Sequence, residues 1–286
     1  MSWITSLQKA IDYIEEHLLD ELDIATISKQ ANSSMYHFQR TFSLLTDIPV
    51  GEYIRRRRLT LAAKELASTN SKVIDVAYKY GYDSPESFTK AFRKQHGITP
   101  RQARNHSGRL KSYNRLVIQV TLKGAEPMQY KIVEKDSFQV TGRKESFSVE
   151  NDENYIGIPK MWDRMNTDGT VEKLVNINTG QLKGLLGVCV DSSNEQSKQI
   201  DYWIAVAHSG DKHDDFDILN VPASKWAVFE AHGPMPHAIQ DVWKKIMSEW
   251  FPSSGYEHAG TPELEVYPEG DITSSDYYSE VWIPIK

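Results

Sequence analysis

The apolar residues of this chain change their repeat once, between residues 106 and 130, and this change constrains the fold more than any other feature. Before that point they recur every three or four positions, which is typical of amphipathic helices. From Tyr130 onward they alternate with polar residues, which is typical of strands that bury one face. A chain of 286 residues is long enough for two domains. We therefore expect an all-α N-terminal domain over residues 1–108 and an α+β C-terminal domain over residues 127–286.

A short helix, a turn and a second helix are predicted twice in the N-terminal part, over about residues 24–45 and 73–96. Ser34 and Ser84 stand at matching helix starts, and aromatic residues follow each serine four and eight positions later. The long helical segment 52–67 separates the two pairs by roughly 24 Å, at 1.5 Å per residue. Two helix-turn-helix units joined by such a helix could enter successive major grooves of DNA, which lie about 34 Å apart.

Basic residues are concentrated in the same part of the chain. The whole sequence holds 33 Lys and Arg against 39 Asp and Glu, a net charge of −6, whereas residues 24–111 hold 16 basic and 6 acidic residues. Four consecutive arginines, Arg55 to Arg58, contribute to this excess. A basic segment joined to an acidic remainder indicates a polyanion-binding module fused to another domain.

Three runs of sequence resemble the DNA-binding domain of the AraC/XylS family: YHFQRTF, GEYIRRRRL and IDVAYKYGYDSPESFTKAFRKQHGITPRQAR. The resemblance covers about residues 5–106, and the last run is its most specific part. It implies recognition helices at about Ser33–Ser43 and Ser84–Gln95. It also implies two macromolecular partners, double-stranded promoter DNA and RNA polymerase.

Candidate DNA contacts follow from the faces of these helices. Phe38 and Phe42, and likewise Phe88 and Phe92, are expected to face inward, which leaves the intervening side chains pointing outward. Arginine can pair with guanine and glutamine with adenine in the major groove, and the helix start at Ser84 places amide groups near phosphate. The candidate DNA-binding residues are Met35, Tyr36, Gln39, Arg40, Arg55, Arg57, Ser84, Pro85, Glu86, Thr89, Lys90 and Arg93.

The C-terminal part contains a duplicated pattern that follows a predicted linker, residues 109–126. The linker carries an apolar alternation at 116–120, which indicates a strand or an extended packing segment. Beyond it, a strand pair, a helix centred on a tryptophan and a second strand pair occur twice. We expect two pseudo-symmetric β-α-β-β repeats. A groove is expected at their interface, because ligand sites favour such junctions.

This part resembles the GyrI-like, or effector-binding, domain of Rob-type and other multidrug-responsive regulators. The resemblance depends on VPASKWAVFEAHGP, the helix ending in WFPSSGY, the strand LEVY and the terminal VWIPIK. It implies that Glu265 is the charge at the base of a pocket that accepts bulky, often cationic ligands. A carboxylate among aromatic rings suits a lipophilic cation by charge and by cation–π contact. The candidate effector-binding residues are Glu265, Tyr267, Trp203, Trp243, Tyr278, Glu280 and Trp282.

Several other kinds of site and location are disfavoured. No apolar run approaches 18 residues, which predicts no membrane partner. The lone Cys189 permits no intrachain disulfide and fits a cytoplasmic location. His208, Asp211, His213 and Asp214 are metal-binding residue types, but their segment fits a solvated acidic loop better. No phosphate loop, dinucleotide fingerprint or GxSxG motif occurs, so we predict no cofactor and no metal.

These features predict a sequence-specific transcription regulator whose C-terminal domain binds a small amphipathic effector, with a lipophilic cation as one ligand class. The chain is not predicted to be an enzyme, and control of multidrug or stress-response genes is what the resemblance implies. Two alternatives stay open. The C-terminal domain could hydrolyse a reactive small molecule with Glu265 as the base, or it could dock a protein partner through its acidic surface.

Overall fold

The computed structural model describes residues 3–106, 108–118, 128–149, 153–192, 198–210 and 213–286. The chain forms two compact units: the first consists of residues 1–33 and 46–121, and the second of residues 34–45 and 122–286. The first unit is helical, and the second holds an eight-stranded sheet. Residues 34–45, which are predicted to belong to the N-terminal domain, therefore group with the C-terminal part of the chain.

Seven helices precede the sheet in the part of the chain that the structure describes, as the helical repeat predicts. They are α1 (Trp3–Glu16), α2 (Ile24–Gln30), α3 (Met35–Thr46), α4 (Val50–Ser68), α5 (Val73–Lys79), α6 (Pro85–His96) and α7 (Pro100–Arg104). All of α3 except Thr46 belongs to the second unit. Among the described residues, no helix is both long enough and apolar enough to cross a membrane.

The core of the first unit forms around α4, which is 19 residues long. Leu59 and Leu66 of α4 are completely buried and belong to one apolar cluster with Phe88 and Phe92 of α6. Val76 of α5 lies in the same cluster. Burial of a side chain of this size contributes about 1.5–3 kcal/mol. These contacts direct one face of α6 inward and leave the other face open to solvent.

Serine caps begin both predicted recognition helices. The Ser84 hydroxyl oxygen accepts a hydrogen bond from the Ser87 amide at 3.1 Å, and Pro85 occupies the first turn of α6. The Ser34 hydroxyl oxygen accepts one from the His37 amide at 3.2 Å. Each bond satisfies an amide that has no partner within its helix. The two helix starts predicted from the serine spacing are confirmed.

Over its described part, the predicted linker forms no helix or strand and is hydrogen-bonded to other residues of the first unit. The Tyr113 amide donates to the Thr60 hydroxyl at 3.1 Å, and the Leu116 amide donates to the Tyr53 hydroxyl at 3.1 Å. Of the alternation at 116–120, residues 116–118 are described, and they form no strand. The rest of the predicted linker, residues 119–126, lies outside the described residues.

The second unit contains one antiparallel sheet in the order β1-β6-β8-β7-β3-β4-β2-β5. Its strands are β1 (Tyr130–Lys135), β2 (Phe138–Ser148), β3 (Leu185–Asp191), β4 (Gln199–Ala207), β5 (Asp217–Val221), β6 (Ser224–His232), β7 (Glu263–Tyr267) and β8 (Tyr278–Ile285). The helical segments between them are α8 (Glu153–Thr167), α9 (Thr170–Asn176), α10 (His237–Lys245), a π-helical segment (Ile246–Trp250) and α11 (Phe251–Ser254).

The strands form two sets of four, β1–β4 and β5–β8, and each set places its helices after the second strand. Each set is therefore ββαββ, which agrees with the predicted strand pair, helix and strand pair and has one strand more than the expected β-α-β-β repeat. The first two strands of a set do not pair with each other, since β1 pairs with β6 and β2 pairs with β5. Only two residues separate β1 from β2, about 10 Å of extended chain. The two ends of the sheet must therefore lie close together, so the sheet curves.

The two faces of this sheet bury different aromatic side chains. Trp203, Trp226 and Trp282 belong to one apolar cluster on the first face. On the second face, Trp243 of α10 and Trp250 of the π-helical segment pack against residues of β6 and β8. We call the first face the tryptophan face and the second the helix face. Because neighbouring residues on a strand point to opposite sides, each strand contributes to both.

Candidate functional site

Glu265 lies on the helix face, where β7 and α10 bring aromatic donors to both of its carboxylate oxygens. Oε1 accepts a hydrogen bond from the Trp243 indole at 2.7 Å, and Oε2 accepts one from the Tyr267 hydroxyl at 2.9 Å. The Glu265 side chain is 19% exposed. Both donors are uncharged groups, so they orient the carboxylate without neutralising its charge.

Two further aromatic side chains complete this environment. The Trp162 indole of α8 donates to the Tyr202 hydroxyl of β4 at 3.0 Å, and the Trp162 ring meets the Tyr267 ring edge-on at 5.4 Å. Burial, followed by the nearby Glu265 charge, raises the pKa of both tyrosine hydroxyls well above the ordinary value. Tyr202 and Tyr267 are therefore uncharged at neutral pH. We call Glu265, Trp243, Tyr267, Tyr202 and Trp162 the Glu265 cluster.

A cation from the chain itself already lies against this cluster. The guanidinium carbon of Arg40, on α3, is 3.6 Å from the centre of the Trp243 ring. Its Nη2 donates to Glu265 Oε1 at 3.4 Å, and its Nη1 donates to Glu263 Oε2 at 2.8 Å. The Arg40 side chain is 13% exposed. The arrangement combines a cation–π contact with two carboxylates, which are the interactions expected of a site for a cation.

Glu263 is the more deeply buried of the two carboxylates, with 4% of its side chain exposed. His37 of α3 lies 3.5 Å from Glu263 Oε1, and His258 lies 3.3 Å from the same oxygen. Burial favours the protonated acid, but the charges of His37 and Arg40 outweigh it and hold the pKa of Glu263 far below its usual range. Glu263 is therefore a carboxylate that needs positive partners.

The same three residues raise the question of a metal site, because their possible ligand atoms lie within 4.8 Å of one another. The Gly260 amide donates to His258 Nδ1 at 2.9 Å. This bond leaves the ring proton of neutral His258 on Nε2, the atom that faces Glu263. A metal would need the lone pair of that atom, so this tautomer of His258 disfavours a metal centre at His37, His258 and Glu263.

Three of the seven predicted effector residues, Glu265, Tyr267 and Trp243, come together in the Glu265 cluster. Four others lie on the tryptophan face: Trp203, Tyr278, Glu280 and Trp282. The register between β7 and β8 sets this outcome, because Glu265 pairs with the residue between Glu280 and Trp282. Paired residues share a face and their neighbours point the other way. The prediction that these four residues line one site with Glu265 is wrong for this reason.

Four residues at this site were not predicted from the sequence: Trp162, Tyr202, Glu263 and, as a contact of Glu265, Arg40. Strand alternation could have found Glu263, which stands two residues before Glu265 on the same strand. Tyr202 is the neighbour of Trp203 on β4. The register of β4 therefore decides that Tyr202, and not Trp203, points toward the Glu265 cluster. No pattern within the sequence indicates that Arg40 contacts Trp243.

The candidate DNA contacts on α6 occupy the side expected of them. Glu86, Lys90 and Arg93 are exposed, and Pro85 and Thr89 are partly exposed. The inward positions are filled by the aromatic residues that pack on α4. Together with the cap residue Ser84, these side chains form a surface row along α6 that a DNA groove can reach.

The two candidate arginines on α4 differ from each other. Arg57 is 12% exposed, and it donates to the Glu15 carboxylate at 2.7 Å and to the Tyr113 carbonyl at 2.6 Å. Its donors are therefore used within the first unit, so the structure does not present Arg57 to DNA as predicted. Arg55 is one-third exposed and pairs with Glu52 on its own helix at 2.6 Å.

The candidate contacts on α3 do not point to solvent as predicted. Met35, Tyr36 and Gln39 are all buried, and Arg40 is bound at the Glu265 cluster. The prediction assumed that only Phe38 and its repeat neighbours face inward. In the structure α3 lies in the second unit, which buries the opposite side of the helix as well.

Two protein families match the chain. The GyrI-like small molecule binding domain matches residues 128–286, which is more than half of the sequence. A helix-turn-helix domain family matches residues 27–106.

The relatives of the N-terminal part are regulators of transcription. The chain is 43% identical over 94 residues to the HTH-type transcriptional activator AarP of Providencia stuartii, which covers 33% of this chain and 70% of AarP. It is 38% identical over 105 residues to the regulatory protein SoxS of Escherichia coli (strain K12), which covers 37% of this chain and 98% of SoxS.

The C-terminal part is similar to a solved structure, that of SAV2435 bound to tetraphenylphosphonium. The two chains are 29% identical, with a TM-score of 0.51 over 56% of this chain and 94% of SAV2435. The similarity therefore extends over nearly the whole of SAV2435.

Proposed function

This chain belongs to the AraC-type DNA-binding transcription regulators with a C-terminal GyrI-like small molecule binding domain, and on that premise we propose that the Glu265 cluster is its effector site and takes a lipophilic cation. The proposal assigns the base of the site to Glu265 and its walls to the four aromatic side chains of the cluster. It assigns promoter DNA to the exposed row on α6, and it includes recruitment of RNA polymerase at that promoter.

The observation that carries the proposal is the guanidinium of Arg40, which lies 3.6 Å from the centre of the Trp243 ring and contacts Glu263 and Glu265. A site that holds one flat, weakly hydrated cation offers the same attraction to another. Tetraphenylphosphonium, the ligand bound by SAV2435, is a weakly hydrated cation too. It has no hydrogen-bond donors, so it depends on charge and aromatic contact, and this cluster supplies both.

The test is the affinity of tetraphenylphosphonium for the full chain by isothermal titration calorimetry, in the wild type and in Glu265→Gln. The amide keeps the shape of the side chain and removes its charge. We expect Glu265→Gln to bind at least about tenfold more weakly, a difference of about 1.4 kcal/mol.

Glu280→Gln is the matched control. Glu280 also accepts a hydrogen bond from a tryptophan indole at 2.7 Å, but it does so on the tryptophan face. This variant should bind tetraphenylphosphonium as the wild type does. Equal affinity in the wild type and Glu265→Gln contradicts the assignment of the effector site, and conversion of a bound ligand would favour the enzyme alternative instead.

A further inference from the structure

We infer that Arg40 is an internal ligand of the Glu265 cluster, and that a cationic effector and helix α3 compete for this site. The inference rests on the proposed effector site and adds its regulation. Binding of the effector displaces Arg40 and frees α3, the predicted first recognition helix, from the sheet. The occupant of the Glu265 cluster thereby controls whether the base-reading side of α3 is accessible.

The burial of α3 is the first support. Its candidate base-contacting residues Met35, Tyr36 and Gln39 are 3%, 6% and 4% exposed. A side chain must reach a base edge in the groove to read sequence. In this arrangement α3 therefore cannot read DNA, whereas the corresponding row on α6 is exposed.

Other residues of the second unit contact the polar side of α3 along its length, so α3 is held by more than Arg40 alone. Arg40 is also oriented from within α3, because its Nη1 donates to the Tyr36 hydroxyl at 2.9 Å. The polar contacts of α3 and its cap residue Ser34 include, in chain order, Ser34 with Asp191, His37 with Glu263, Arg40 with Glu263 and Glu265, and Thr41 with Met247. This surface recognises a helix with a cation at its centre.

The two cations cannot occupy the site together. The guanidinium of Arg40 lies 3.6 Å from the Trp243 ring centre, which is about the contact distance of two stacked groups. No second group fits between them. Without any cation, Glu263 and Glu265 would be left as neighbouring carboxylates in a largely buried site, which is strongly unfavourable. Departure of Arg40 is therefore favoured when an effector cation replaces it.

Competition also fixes the sign of the coupling. Only molecules in which α3 has left the site can bind the effector. The apparent affinity is therefore the intrinsic affinity multiplied by the fraction of molecules in which α3 has left. DNA that holds α3 should raise the effector affinity by the same factor as the effector raises that of DNA.

The test compares the affinity of tetraphenylphosphonium for the full-length wild type and for the Arg40→Met variant. Methionine removes the charge of Arg40 and keeps a long, unbranched side chain. We expect binding at least about fivefold tighter than in the wild type, because the internal competitor is gone. Arg164→Met is the matched control, since Arg164 is a half-exposed arginine on α8 that pairs with Glu145. It should leave the affinity unchanged.

A second measurement needs no variant and covers the case in which Arg40→Met does not fold. Amide hydrogen exchange of residues 35–46 should become faster in the wild-type chain when tetraphenylphosphonium is bound. Unchanged or slower exchange there overturns the inference.

The outcomes separate the two proposals. Glu265-dependent binding that Arg40→Met leaves unchanged overturns the competition and keeps the effector site. Binding that appears only in Arg40→Met supports the competition. Absence of binding in both the wild type and Arg40→Met contradicts the effector site itself.

Discussion

Glu265 and Glu280 have nearly the same local partners on opposite faces of one sheet. Each accepts a hydrogen bond from an indole at 2.7 Å and another from a tyrosine hydroxyl. They differ in their cation, because Glu280 pairs with Lys131, whose side chain is about half exposed, and Glu265 pairs with a largely buried arginine. The chemistry of a carboxylate therefore depends here on which face it occupies.

A methyl group added at Gly187 of β3 would test how closely the Glu265 cluster is packed. A Cβ at this position would lie 2.4 Å from the Tyr202 hydroxyl and 3.3 Å from Glu265 Oε2. Tyr202 is buried and bonded to Trp162, so it cannot move aside freely. We expect Gly187→Ala to weaken tetraphenylphosphonium binding at least about fivefold, by the general cost of overpacking, as measured by calorimetry.

Gly51→Ala is the control for the same substitution elsewhere. Gly51 lies in α4, and a Cβ added there would meet no atom within 4 Å. Alanine at this position should stabilise the helix by about 0.5–1 kcal/mol. Ligand binding by Gly187→Ala at the wild-type affinity would show that the cluster is looser than these distances indicate.

At the scale of elements, the helices differ in how their charges are used. The α6 row is directed to solvent, whereas α4 uses Arg57 to hold α1 through Glu15, whose side chain is 8% exposed. Burial opposes ionisation of Glu15, but the Arg57 and Tyr53 hydrogen bonds outweigh it and lower the pKa of the carboxyl. The stabilisation by this pair is therefore present above the ordinary pKa of a glutamate and is lost as the pH falls through the lowered value.

Arg57→Met should destabilise the first unit by about 3 kcal/mol, since it leaves a buried carboxylate without its partner. Arg55→Met on the same helix removes a more exposed pair and should cost at most about 1 kcal/mol. Thermal unfolding of both variants, followed by circular dichroism at pH 7, measures the difference. Equal losses in the two variants would contradict the assignment of Arg57 as a structural arginine.

At the scale of the whole molecule, the two binding activities depend on charge in different ways. The DNA-binding part carries the basic excess of residues 24–111, in a chain whose net charge is −6. The Glu265 cluster and its neighbour Glu263 use carboxylates that are at most 19% exposed. Salt screens exposed charges strongly and buried ones weakly, so the two activities should separate with ionic strength.

We expect the affinity for duplex DNA to fall about 100-fold between 50 and 200 mM salt, through release of counterions from the phosphates. The affinity for tetraphenylphosphonium should change less than about threefold over the same range. Fluorescence anisotropy with a labelled duplex and calorimetry with the cation measure the two. A parallel decline of both affinities would place the cation at an exposed site.

The type of each element follows from local sequence alone. Helical and strand repeats predicted a helical first part and strands after Tyr130, and serine spacing predicted the starts of α3 and α6. These properties are local, because a repeat or a cap depends only on residues a few positions apart. Glu265, in contrast, was indicated by the resemblance of the LEVY strand to the GyrI-like domain.

Which side chains meet, by contrast, depends on the tertiary fold. Pairing of β7 with β8 directed Trp282 away from Glu265, since a strand shifted by one residue presents its opposite face. The contact of Arg40 with Trp243 joins residues about 200 positions apart and follows from the grouping of α3 with the sheet. Long-range contacts of this kind depend on how whole faces pack, and no repeat within a single element records them.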